Sequence, residues 1–373
     1  MFQYLSSQEG GNLRIIQPTA AAASRYRIIR YTKGVSDFTV TWVPWFRSVV
    51  WDTVTHLPVM VAPPKAMGTE MAGDLRVEEF LEGVTVNCFV DHEGKLVWTT
   101  RSSLGAQTGF YGTKTFAEMI QEALTALDVS EANIVAWLTL DGNHEVSRSN
   151  PKSASFVLQH PEHRLIQTIQ MPSLTVVQVA SIDAEGQVEM EDQRLDTAPF
   201  SRPVAYEPLA AGATALDRIQ SMSTSKPPSW QGLVFRGSYG ERWRIRNISY
   251  VILRSLLGKE ARDEERFARL RKDRQIPLFL QFWPDKAGAF QTYETNLREM
   301  TRMLNAEYTA VNKLKIRELF EVPAVLRSHV WQLHSRFITD KTPIQLTTVI
   351  HYVNTLPNEL IAVLLRSWVL RVP

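Results

Sequence analysis

Between residues 37 and 257 the chain is dominated by short runs of β-branched and aromatic residues, at 37–43, 49–52, 58–62, 84–91 and 96–101. Runs this short predict strands rather than amphipathic helices. Asp91-His-Glu-Gly94 carries turn residues between the last two and predicts a hairpin. One stretch breaks the pattern: over 115–127, Phe116, Met119, Ile120, Ala123, Leu124 and Leu127 recur at spacings of three and four, which predicts a helix. Residues 133–140, 155–159, 165–170 and 174–181 then read as strands again. The stretch 191–230, rich in Pro, Ser, Thr and Ala, reads as a connection without a core, with a short helix around 214–222. Beyond Ile248 the strand signals stop. Phe290, Tyr293, Leu297, Met300 and Leu304 share a helical face, as do Leu346, Val349, Ile350 and Val353. The expected fold class is α+β with antiparallel sheets over 1–257, followed by an all-helical C-terminal domain over 258–373.

A chain of 373 residues is longer than one typical core holds, and 44% hydrophobic with 21% charged residues is the balance of a folded protein rather than a disordered one. Polar residues or proline interrupt every apolar stretch well before the roughly 18 needed to cross a bilayer, so no membrane span is expected. The polar N-terminal segment lacks a secretory pattern. Cys88, the single cysteine, has no partner for an internal disulfide or a multi-cysteine metal site. The expected location is therefore intracellular, in a cytoplasm or within a virus particle, and not secreted. Net charge is only +2, but 29 arginines outnumber 12 lysines, and the guanidinium fork suits phosphate and carboxylate partners. Residues 241–274 carry eleven basic and six acidic side chains, which reads either as a solvated helix face or as a phosphate-tracking surface.

Phosphate-loop, dinucleotide, nucleophile-elbow and His-Glu-x-x-His signatures are missing from the sequence. His160-Pro-Glu-His163 pairs two imidazoles, but Pro161 places them in a loop with no further ligand nearby, and no metal is expected there. An ordered series of short blocks stands out instead: Phe46-Arg47-Ser-Val-Val-Trp-Asp52, Pro63-Pro-Lys65-Ala-Met-Gly-Thr-Glu70, Glu79-Phe80-Leu81-Glu82-Gly83-Val84-Thr85 and Thr99-Thr-Arg101-Ser-Ser-Leu-Gly105. Later come Ser155-Phe-Val157, continuing to Arg164-Leu-Ile166, then Trp230-Gln231-Gly232-Leu-Val-Phe-Arg236 and Arg242-Trp-Arg244-Ile-Arg246, followed by Tyr250.

In order and spacing these blocks resemble the covalent nucleotidyltransferases, specifically the ATP-dependent RNA ligases of the phage tRNA-repair type, over roughly 47–250. The resemblance implies a nucleotidyltransferase (RNA ligase-like) domain with a helical appendage, and ATP and magnesium as the family's ligands. It also implies phosphate or nucleotide contacts at Arg47, Lys65, Glu82, Gly83, Arg101, Arg164, Gln231, Gly232, Arg244 and Arg246.

The match fails where the family's chemistry resides. The lysine that attacks the α-phosphate falls on Phe80, whose ring has no nucleophilic atom. The aspartate two residues later is Glu82, and two family carboxylates fall on Val157 and Gln231, so hard oxygen ligands for magnesium are lost. The basic positions persist, with arginine where the seventh block has lysines. The expectation is an RNA ligase-like pseudoenzyme, with no catalytic residue, no metal and no certain cofactor, ATP and magnesium remaining open. It would be retained for RNA or nucleotide binding or as a component of a viral or ribonucleoprotein assembly. Two alternatives stay open: an active ATP-dependent RNA ligase with Lys65 as nucleophile, and a structural protein-interaction subunit that binds neither RNA nor nucleotide. Glu78 and Glu79 read as solvent-facing or capping residues, Trp42, Trp98 and Trp137 as packing residues, and Trp230 and Trp243 as candidates for base contact.

Overall fold

A computed structural model describes residues 1–18, 25–68, 71, 75–109, 114–139, 152–209 and 214–369. The chain divides into two compact units, Met1–Arg254 and Ser255–Pro373.

The first unit contains three antiparallel sheets among its described residues. After α1 (Phe2–Ser6), the first sheet is a meander of β1 (Arg14–Ile16), β2 (Tyr26–Arg30), β3 (Val49–Asp52) and β4 (Leu57–Val61). β5 (Arg76–Glu79) belongs to the third sheet, and the chain then crosses into the second with β6 (Val84–Val90) and β7 (Leu96–Thr99). Asp91 closes the hairpin between these two: its carboxylate accepts from the Glu93 and Lys95 backbones, and Gly94 takes a positive φ of 81°. The helices α2 (Phe116–Ala126) and α3 (Glu131–Thr139) follow, then β8 (Lys152–Gln159), β9 (Ser173–Ile182) and β10 (Val188–Met190), giving the order β10-β9-β8-β6-β7.

Thr115 and Glu118 form a capping box at the start of α2, which buries Phe116, Met119, Ile120, Ala123 and Leu124 against Val86, Cys88 and Phe156 of the second sheet. Cys88 is fully buried, its β6 strand paired on both sides, and burial pushes its thiol pKa up. On the opposite face of that sheet, Phe89 packs with Ile28, Val50 and Met60 of the first sheet.

The third sheet comprises β11 (Ala205–Tyr206), β5, β12 (Gly232–Arg236) and β13 (Arg242–Arg246) in that order, with α4 (Asp192–Asp196) and α5 (Ala215–Ser223) preceding β12. After β13 comes α6 (Ile248–Leu257). The second unit is helical: α7 (Asp263–Lys272), α8 (Ile276–Phe282), α9 (Ala287–Tyr308), α10 (Ala324–Asp340), α11 (Leu346–Thr355) and α12 (Asn358–Val369). Phe279 stacks on Trp283 and Phe290, with ring centroids 4.6 and 5.4 Å apart, at the centre of its core. The fold is thus α+β with antiparallel sheets and a helical C-terminal region. No described helix is long and apolar enough to cross a membrane.

Several local expectations are corrected. Residues 133–139 are helical, because Ser130 and Asn133 exchange capping hydrogen bonds and Ile134, Trp137 and Leu138 bury one side of α3; Leu140, the last residue of the predicted strand, lies outside the described residues. Residues 37–43 turn rather than extend, since the Asp37 carboxylate accepts from the Thr39 backbone and hydroxyl. Residues 165–170 form no strand: the Ile166 and Gln167 amides donate to the Glu82 carboxylate instead. The stretch 191–230 is more than a connection. Leu195 and Phe200 enter the second-sheet core, and Ala215, Ile219 and Trp230 the third. In the basic stretch, Arg266, Arg269 and Arg271 pair with Asp263, Glu260 and Glu294, so these three cations are occupied inside the second unit.

Candidate functional site

The short crossing from β5 to β6, residues 80–83, places one side chain after another into a cavity of about 210 Å³ within the first unit. The Phe80 amide donates to the Gly232 carbonyl at 2.9 Å, extending the β5–β12 ladder by one residue and fixing the direction of the ring. Two glycines make the crossing possible. At Gly83, with φ 151°, a Cβ would stand 2.5 Å from the Leu158 carbonyl oxygen and 2.6 Å from Val157 Cγ1; at Gly232, with φ 130°, it would overlap the Ile245 carbonyl oxygen. Both positions need a residue without Cβ. Gly232→Ala is therefore expected to destabilise the protein by about 1–3 kcal/mol from backbone strain, read as a lower urea midpoint; an unchanged midpoint would mean that β12 and β13 can separate freely.

β13 supplies the cations. Arg242, Arg244 and Arg246 alternate with Trp243 and Ile245, so the three guanidinium groups share a face. Their central carbons lie 5.5, 5.7 and 5.4 Å from the Phe80 ring centroid, within cation–π range. Arg242 is 8% exposed, and its Nε is buried without a hydrogen bond among the described residues. Burial, reinforced by neighbouring arginines, holds its pKa well below the ordinary value, and burial also lowers those of Arg47 and Arg246. Arg47, anchored by a 3.1 Å bond from Nη2 to the Thr85 hydroxyl, faces the same space, as do Arg236 and Arg254. Six arginines meet three glutamates, an excess of three positive charges.

The glutamates are already engaged or partly withdrawn from solvent. Glu78, read from sequence as solvent-facing, is 4% exposed and pairs with Arg236 at 2.8 Å and Arg76 at 2.7 Å. Glu79, read the same way, is half-buried and lines the cavity. Glu82 Oε1 accepts from the Ile166 and Gln167 amides at 2.8 and 3.0 Å, and the Tyr250 hydroxyl lies beside the same carboxylate. Burial pushes the Glu82 pKa up, against the two backbone hydrogen bonds that pull it down, and burial with the facing carboxylate also raises that of Tyr250. An acid with a raised pKa binds its proton more tightly in the folded chain, so Glu82 lowers stability as pH rises from the unfolded carboxylate value through the folded one. Glu82→Gln is expected to flatten that part of a stability-versus-pH profile measured by urea unfolding; identical slopes in both proteins would rule this out.

The structure brings Arg47, Phe80, Glu82, Gly83, Gln231, Arg244 and Arg246 to this cavity, with Val157 in its wall and Gly232 beside it. It places other sequence candidates elsewhere. Lys65 Nζ sits over the Phe38 ring, 4.5 Å from its centroid, and Lys65 is not among the lining residues. Arg101 stacks on Tyr31 at 4.5 Å and donates to the Tyr31 and Arg47 carbonyls, lining a neighbouring cavity. Arg164 follows the 3-10 turn Pro161–His163 and is not a lining residue of either cavity. Glu70, the end of the second block, lies outside the described residues.

Trp230 and Trp243, read as base-contacting, are 2% and 7% exposed and pack in the third-sheet core. Of the packing tryptophans, Trp98 and Trp137 are buried, whereas Trp42 is 40% exposed. His160 is held by the Glu122 carboxylate on Nε2 and the Glu162 amide on Nδ1. Sequence reading passed over Glu78, Arg236, Arg242 and Arg254 as site residues. The alternation 242, 244, 246 was the available signal for Arg242, and 78, 80 for Glu78.

No family model and no curated protein matches this sequence. Solved structures that are similar include an archaeal ATP-dependent RNA ligase in its second form, 13% identical, the match covering 76% of this chain and 66% of that one with a TM-score of 0.38. Another is the Naegleria gruberi RNA ligase with PPi, 11% identical, covering 48% of this chain and 51% of that one, TM-score 0.34. The chain spans about half the length of the Naegleria structure.

The donor set does not fit a hard divalent cation. Glu78 is paired with two arginines, Glu82 Oε1 is occupied by two backbone amides, Glu79 is a single further carboxylate among six arginines, and Val157 and Gln231 supply no anionic oxygen. Arginines in excess fit phosphate oxygens instead.

Proposed function

We propose that this protein is an RNA ligase-like pseudoenzyme of the nucleotidyltransferase fold, which binds nucleotide or RNA phosphates without forming a covalent intermediate. The observation that carries the reading is Phe80 at the centre of three guanidinium groups, one with a buried, unpartnered Nε. A phenyl ring stands where the resembling family places its nucleophile, and the cations around it lack enough counter-charge. An anion entering the cavity would pair with the buried Arg242 guanidinium and the exposed Arg244 and Arg246 beside it, and charge-assisted hydrogen bonds favour binding. The same surplus of positive charge fits a role within a ribonucleoprotein or viral assembly, with RNA as the anionic partner.

The test incubates the purified protein with α-labelled ATP and magnesium or manganese and resolves it on a denaturing gel, with Lys65→Ala alongside. No labelled band is expected. Equilibrium binding of ATP and of a short oligoribonucleotide should be retained, weaken steeply with salt, and fall in the Arg244→Ala/Arg246→Ala double variant. A labelled band on the wild type sinks the pseudoenzyme reading, and its loss in Lys65→Ala would assign Lys65 as nucleophile. Salt-insensitive protein association with no nucleotide or RNA retention would favour the structural-subunit alternative.

A further inference from the structure

Helix α10, inside the second unit, has one face turned to the core and another left uncovered. Leu326, His329, Val330 and Leu333 are its buried residues. Ala324, Arg327, Trp331, Ser335 and Ile338 recur at helical spacing on a different side and form a second stripe down the helix. Trp331 is 63% exposed and Ile338 54%, although a side chain as large as Trp is highly buried on average. Phe320, 72% exposed, stands at the head of the stripe, where Arg327 donates to the Phe320 and Val322 carbonyls and so ties the turn Leu319–Glu321 to the start of α10. The three side chains expose roughly 400 Å² of apolar surface, a patch of the size that marks an interaction site rather than scattered surface residues.

The order of residues along the stripe says what covers it. Trp331 is its midpoint: Ala324 and Ile338 stand seven residues before and after it, Arg327 and Ser335 four, and Glu321 and Lys341, both exposed, ten. A second α10 laid antiparallel across a twofold axis at Trp331 sets indole against indole and each Ile338 over the small Ala324 of the other copy. It also sets each Arg327 beside a Ser335 hydroxyl and each Glu321 carboxylate opposite a Lys341 ammonium. The stripe is therefore complementary to itself, in size along its length and in charge at its ends, as an isologous interface requires. Nearby charges do not oppose this, because Arg336 lies over the Tyr352 ring and helical spacing carries Asp340 to the side away from Trp331. The area agrees as well. Two copies would withdraw roughly 800 Å² of apolar surface, which at an apolar share of about 57% makes an interface of about 1,400 Å², within the range of stable complexes.

We infer that this face is a homodimer interface, in which two copies of the chain pack α10 antiparallel about a twofold axis at Trp331. The inference uses residues of the second unit alone, so it stands or falls separately from the reading of the arginine cavity.

Sedimentation velocity of the full chain over a concentration series measures the monomer–dimer equilibrium, with circular dichroism to establish that each variant is folded. The variants are Trp331→Ala, Glu321→Lys and Lys341→Glu, all at exposed positions. The wild type is expected to dimerise, and Trp331→Ala to weaken the dimer about thirtyfold, the effect of losing a central aromatic anchor. Each charge reversal alone sets like charges opposite one another at both ends and should weaken the dimer about tenfold. Mixing the two charge-reversed chains in equal amounts should restore dimerisation, because the lysines of one chain then face the glutamates of the other at both ends. Should Lys341→Glu not fold, Trp331→Ala and Glu321→Lys still decide. A chain that stays monomeric throughout the series, a dimer indifferent to Trp331→Ala, or a mixture no tighter than its separate components overturns the inference.

Discussion

Phe80→Lys is expected to lower the unfolding free energy by about 3–5 kcal/mol, the range for losing a buried aromatic side chain or burying an unpaired charge. The ring is 9% exposed and bordered by three guanidinium groups. A lysine at this point would exchange a quadrupole that attracts the cations for a fourth cation that repels them. The cluster is therefore built around a ring and does not accommodate an ammonium group at position 80. Phe80→Leu keeps most of the volume and loses the ring, at an expected cost of about 1–2 kcal/mol. Urea unfolding of the three proteins checks both values, and saturating inorganic phosphate should recover part of the lysine variant's loss through binding to the folded state. A lysine variant as stable as the wild type would show that the guanidinium cluster is not held against the ring.

Glu78→Ala is expected to cost about 3–5 kcal/mol, because it removes one partner of a buried ion pair and leaves the other charged. Arg236, 8% exposed, would then join Arg242 and Arg47 without a carboxylate to offset it. Glu78 also bridges to Arg76, so one side chain ties β5 internally and to β12. Replacing Glu78 and Arg236 together by Leu and Met should recover much of the loss, since a buried pair replaced by apolar groups of similar volume is often neutral. Denaturation of the single and double variants measures the difference. Equal losses in both would mean that packing, rather than charge, is what Glu78 supplies.

How far the sequence spoke for this structure depends on what each segment spends its side chains on. The hairpin at 91–94 and helix α2 were legible because alternation, turn residues and a capping threonine agree with one another. β5 was not legible: Arg76-Val-Glu-Glu79 lacks β propensity, yet it lies between β11 and β12 because its charges find partners across the sheet. Helix α3 was mistaken for a strand from its apolar content, although Ser130 and the three-four spacing of Ile134, Trp137 and Leu138 were present. The segment at 165–170 has strand-like residues, and only the fold reveals that a distant carboxylate, Glu82, takes its amides.

The arginine cavity was half visible. Arg244 and Arg246 followed from the ordered blocks, whereas Glu78 and Arg236 are 158 residues apart and meet only once β5 pairs with β12. Trp230 and Trp243 show the opposite case, where aromatic residues inside functional-looking blocks serve the core.

Cys88 gives the molecule a built-in clock. Its thiol is sealed in β6 between β7 and β8 and is held in its unreactive protonated form by burial. A modifying reagent can reach it only when the second sheet parts, so the rate of labelling counts openings of that sheet. With no other cysteine in the chain, the count needs no engineered probe. A ligand that clamps the neighbouring β6 residues should slow the clock without touching the sulfur.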